Sequence, residues 1–147
     1  MQHTAQLAAL KQLDERSQLQ AHVESIARDI ENGLDGHHCP ECDGELSWSD
    51  EGHAFQECPS CGEEVDRSET MMTGFDYLSD ALDFEYITDS TKNFIGARIL
   101  VAFGGPNIWI NTRNKQVEGH WWGDSATCSY SQDIMDLEGC AEELFNV

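Results

Sequence analysis

With 147 residues and a formal charge of -20, from 28 Asp and Glu against 8 Lys and Arg, the chain has room for one ordinary domain or for a small metal-stapled module beside a compact one. Such a charge repels DNA, RNA and anionic membranes at long range, which excludes the common electrostatic route to direct nucleic-acid binding. No run approaches the roughly 18 to 20 consecutive apolar residues of a membrane span, and the N-terminus has no basic leader before an apolar core, so the sequence predicts a soluble, cytoplasmic protein.

Residues 4 to 32 read as helix, with Leu19, Val23, Ile26 and Ile30 spaced to make one narrow apolar seam. Leu7, Leu10 and Leu13 lie on a different phase, and the polar "DERS" at 14 to 17 separates the two sets, leaving either two helices or one with a kink. Gly33 is a stop signal. The seam must be covered, either by the protein's own body or by a homodimer or partner helix.

Next come Cys39-Pro40-Glu41-Cys42 and Cys58-Pro59-Ser60-Cys61, two CxxC pairs separated by residues 43 to 57. With four of six cysteines in this pattern and no export signal, reduced thiolates on a metal are a better reading than disulfides. The stretches "ELSWS" and "HAFQE" read as strands of a hairpin around "DEG" at 50 to 52, and Gly44 and Gly62 stand where a tight turn asks for positive φ. The halves "CPECDGEL" and "CPSCGEEV" resemble each other and the zinc-ribbon family, whose rubredoxin-like knuckles carry this pattern, over residues 39 to 64. One Zn2+ held by Cys39, Cys42, Cys58 and Cys61 is the expected cofactor, with iron the other ion suited to four sulfurs. Four protein sulfurs leave no open position for water, so the ion is structural. His37, His38 and His53 are read as exposed or outer neighbours rather than ligands. Residues 36 to 70 also carry ten carboxylates against Arg67 alone.

"RSETMMTG" reads as a linker, and Asp76 caps a short helix through "YLSDALD". Five runs then read as strands joined by short turns: 84 to 88, 94 to 103, 107 to 111, 116 to 122 and 126 to 130. Connections this short favour antiparallel hairpins. Ile95, Ala97, Ile99, Val101 and Phe103 should face the core with Arg98 opposite. Ser131 caps a closing helix that turns Ile134, Leu137, Ala141, Leu144 and Phe145 inward over the sheet. The fold class is α+β: an N-terminal helical segment (1 to 35), a four-cysteine zinc ribbon (36 to 70) and an α+β domain with an antiparallel sheet and a C-terminal helix (71 to 147).

Catalytic signals are sparse. A Cys128 nucleophile with His120 as base would make a hydrolase, and Ser129, His120 and Asp124 offer a triad, but no nucleophile-elbow motif surrounds the serine and little positive charge is available to favour a thiolate. "FGGPNIW" lacks the lysine and spacing of a phosphate loop. If Trp121 and Trp122 both lie in a strand they point to opposite faces, so one of them is poorly buried. The stretch 104 to 124 resembles small proteins of phage and mobile elements, including ones suspected of opposing host defence. The reading is therefore a non-enzymatic acidic ribbon protein that binds a basic protein surface through Glu63, Glu64, Asp66, Trp121 and Trp122, in its sharper form a nucleic-acid-mimicking inhibitor of anti-restriction or anti-CRISPR type. An adaptor bridging parts of a cellular machine is the alternative.

Overall fold

The computed structural model describes the backbone of residues 2 to 147 and the side-chain surroundings from residue 14 onward. One unbroken helix, α1 (Gln2–Asn32), opens the chain. It passes through the polar 14 to 17 step without a break, because no proline or glycine occurs within it and Glu and Arg are good helix formers. The side chains of Leu7, Leu10 and Leu13 lie outside the described residues. Leu19, Val23, Ala27 and Ile30 are buried against the chain's own sheet, with Ile26 beside them, so this seam is already covered within the chain. Gly33, at φ 79, ends the helix with its N–H on the Asp29 carbonyl at 2.8 Å.

After the ribbon strands β1 (Phe55–Glu57) and β2 (Glu64–Asp66) come a single 3-10 turn (Arg67–Thr70) and α2 (Gly74–Ser79). Five strands then form a meander: β3 (Asp83–Thr88), β4 (Phe94–Ala102), β5 (Asn107–Asn111), β6 (Gln116–Trp121) and β7 (Asp124–Ser129). Their order in the sheet is their order in the chain, and every neighbouring pair is antiparallel, as short turns require. Ile99, Ile110, Val117 and Cys128 stand opposite one another across four strands, and α1 closes this face over β6 and β7 while α3 (Leu137–Phe145) closes it over β4. Gly119 makes the closest approach possible: a Cβ there would sit 2.8 Å from Leu19 Cδ1 and Val23 Cγ1. On the other face the Arg98 guanidinium lies 4.3 Å above the Trp109 ring and 3.3 Å from Glu85.

Several expectations change in detail. Phe103 lies beyond the end of β4 and is exposed, because the strand stops at Ala102 before the turn into β5. Thr73, not Asp76, caps α2; its side chain accepts from the Asp76 N–H at 3.1 Å while Asp76 reaches back to the Thr73 N–H, a reciprocal box. Asp136, at φ 55, replaces Ser131 as the cap of α3, which therefore starts at Leu137 and leaves Ile134 outside the helix and exposed. The buried side of α3 is Leu137, Cys140 and Ala141, and Leu144 faces out.

The cysteine module hangs from this body by a neck. Asp35 pairs with Met71, the Met72 N–H donates to the Leu34 carbonyl at 2.8 Å, and a Cβ on Gly36 would run into the Thr70 carbonyl oxygen. Beyond the neck lies a separate small core of Cys39, Leu46, Cys58 and Val65 with Trp48 against it.

Candidate metal centre

Each CxxC turn folds the same way. In the first knuckle the Cys39 N–H donates to the Gly44 carbonyl at 2.8 Å and the Asp43 N–H to the Cys39 carbonyl at 2.9 Å; in the second, Cys58 donates to Glu63 at 2.8 Å and Gly62 to Cys58 at 2.8 Å. The residue after the second cysteine turns left-handed in both, Asp43 at φ 59 and Gly62 at φ 77. The first knuckle thus uses Asp43 rather than Gly44, since aspartate tolerates that conformation better than most side chains. Because the knuckles reverse the chain themselves, the strands pair across them: β1 with β2, and His38 with Glu45. The expected pairing of "ELSWS" with "HAFQE" does not form.

The knuckles bring the Sγ atoms of Cys39, Cys42, Cys58 and Cys61 within 4.8 Å of one another. A tetrahedral ion with metal–sulfur bonds of about 2.3 Å has edges of about 3.8 Å. Cys39 and Cys61 lie 3.9 Å apart and Cys42 and Cys58 3.7 Å, so the spacing fits such an ion. The Cys61 and Ser60 N–H groups favour the Cys58 thiolate and lower its pKa to about 7. At Cys42 the Gly44 N–H, 3.3 Å from sulfur, also favours the thiolate, but desolvation and the three neighbouring thiols together carry the pKa up to about 12. Four thiolates this close repel one another, and a divalent cation removes that repulsion. Cys39 and Cys58 are buried and Cys42 and Cys61 exposed, so the centre sits at the surface of the module. His37, His38 and His53 are exposed and outside the cluster; His53 instead contacts Glu51 at 3.2 Å.

The residue that sequence reasoning passed over is Arg67. It lies 5.4 Å over the Trp48 ring, donates to the Ser49 carbonyl at 3.4 Å and the His53 carbonyl at 3.3 Å, and pairs with Asp35 across the neck. Its signal was its solitude among ten carboxylates. Nine of those carboxylates belong to exposed residues; Asp66 is half-buried and turned onto the Ser68 N–H and hydroxyl as the cap of the 3-10 turn.

Of the residues expected to meet a partner, Glu63, Glu64 and Trp122 are free at the surface, whereas Asp66 is a cap and Trp121 packs against the sheet core. Trp122 is not in the strand; it occupies the turn into β7. Cys128 and His120 do not meet. Cys128 stands opposite Val117 on the helix-covered face, and His120, three residues along β6 from Val117, points to the other face. Asp124 is taken by Arg16 of α1 at 3.0 Å. Among the described residues no helix is long and apolar enough to cross a membrane. Comparison with family models, curated proteins and solved structures finds no match to this chain.

Proposed function

We propose that this protein is a non-enzymatic, zinc-stapled acidic module that binds a basic surface on another protein, and that it acts as an inhibitor by occupying a groove built for nucleic acid. The observation that carries this reading is the skin of the ribbon, nine exposed acidic residues with their one local cation turned inward onto Asp35 and Trp48. Exposed carboxylates at this density steer a basic partner into contact, can stand where phosphates would lie, and repel bare nucleic acid. Zinc suits the site because four protein sulfurs complete its tetrahedron and leave it structural. The separation of Cys128 from His120 supports a role without catalysis. The test is binding of the metal-loaded protein to purified restriction or CRISPR-type effector complexes. Attachment that competes with DNA and weakens steeply with salt is expected; salt-indifferent binding, or tight binding to oligonucleotides alone, overturns the reading.

An adaptor role is the second reading, favoured by two free surfaces held at opposite ends of one packed stretch of α1: Arg16 holds the turn bearing Trp122, and the neck beyond Asn32 holds the ribbon. An adaptor retains two partners at once.

A further inference from the structure

Three large apolar side chains stand out at one end of the sheet: Leu82 is 61% exposed, Phe103 72% and Trp122 84%. The register explains their company. Asp83 faces Leu100, Ala102 faces Ile108 and Trp121 faces Asp124, so the start of β3 and the ends of β4 and β6 lie along the same edge. From β3 to β6 that edge spans about 14 Å at the ordinary strand spacing.

Trp122 is held there against local preference. It and Gly123 take φ 52 and φ 84 between the paired Trp121 and Asp124, which makes a two-residue turn with both residues left-handed. Asn-Gly is the favoured pair for that turn, and a bulky side chain in the first position is strained. The ring gains no burial in return. Strain that nothing else in the fold requires points to use outside it. The turn is also tied to the body: Arg16 pairs with Asp124 at 3.0 Å, and Gly119 seats β6 on Leu19 and Val23.

We propose that Trp122, with Phe103 and Leu82, is the anchor by which the protein enters an apolar cleft rimmed by lysine or arginine on its basic partner. This rests on the reading that the partner is basic. Asp80 and Asp83 are exposed beside the same edge and complement such a rim. A second copy of the chain would bring a second charge of -20 and is the wrong occupant.

The experiment pans a displayed library of random peptides against the metal-loaded protein and measures the affinity of every enriched clone for wild type, Trp122→Asn and Phe103→Ser. Clones with aliphatic residues flanked by Lys or Arg, binding at least tenfold more weakly to Trp122→Asn and Phe103→Ser, are expected. Trp122→Asn should melt at the same or a higher temperature than wild type, since Asn-Gly suits the turn; a lower melting temperature means the ring serves the fold and overturns the proposal. Basic clones that bind wild type and Trp122→Asn equally overturn this anchor while leaving the acidic-surface reading intact. If no basic clone binds either protein, that reading fails too. Sedimentation that reveals a dimer lost in Trp122→Asn identifies a second copy as the occupant and also overturns it.

Discussion

Arg67 grips Asp35 with a fork: its Nε donates to Oδ1 at 2.8 Å and its Nη2 to Oδ2. The same guanidinium reaches Trp48, Ser49 and His53, so one side chain ties the end of α1 to the middle of the ribbon. Lysine carries the charge but not the fork. Arg67→Lys is expected to bind metal as wild type does and to keep the melting behaviour of the sheet while amide exchange quickens across residues 47 to 57. Unchanged exchange there would show that the ribbon is positioned by other contacts.

The ribbon's core contains two of its own candidate ligands, Cys39 and Cys58, and only Leu46, Val65 and Trp48 besides. So small a core does not hold a fold without its ion. Elemental analysis should find one metal per chain, reduced to background in Cys58→Ser. Strong chelators should abolish amide protection in β1 and β2 and leave β4 to β6 protected, because the second core shares no residue with the first.

Gly119 is where β6 and α1 touch. Gly119→Ala should destabilise the protein by about 1–3 kcal/mol, read by urea unfolding, since Leu19 and Val23 are fully buried and have little room to retreat.

Asp89 closes the β3 to β4 connection. The Asn93 N–H donates to its Oδ1 at 3.0 Å and the Thr91 hydroxyl at 2.8 Å, and these bonds, the Asn93 one first, hold its carboxyl down to about 2. An unfolded aspartate titrates near about 4, so the native state loses this contribution as the pH falls from there toward 2 and keeps it in full above. The stability gap between wild type and Asp89→Ala should therefore be open at neutral pH and close across that interval. A gap that persists at pH 2 would mean the loop depends on something other than the ionised carboxylate.

How far the sequence could be read depended on the range of the signal. The seam of α1 was visible because Leu19, Val23, Ile26 and Ile30 repeat at helical spacing, and the five strands because turn residues punctuate them. The four-cysteine cluster was visible because a CxxC knuckle is a local structure. What stayed hidden was set by competition between near neighbours. Thr73 displaced Asp76 as the cap by accepting from it, and Asp43 took the left-handed position expected of Gly44, one residue later. The pairing of β1 with β2 was missed because the turn between them is the knuckle itself, which reads as ligand spacing rather than as a hairpin. Long-range ties such as Arg67 with Asp35 leave no periodic trace at all.

The neck at Gly36 and Thr70 has a consequence for how such a chain could change. Ends that already touch can be joined directly, so residues 36 to 70 form a cassette that evolution or a designer could remove, exchange or lengthen while the helix-covered meander keeps its layers. The polypeptide can renew the surface it shows to the world without renegotiating the architecture that carries it.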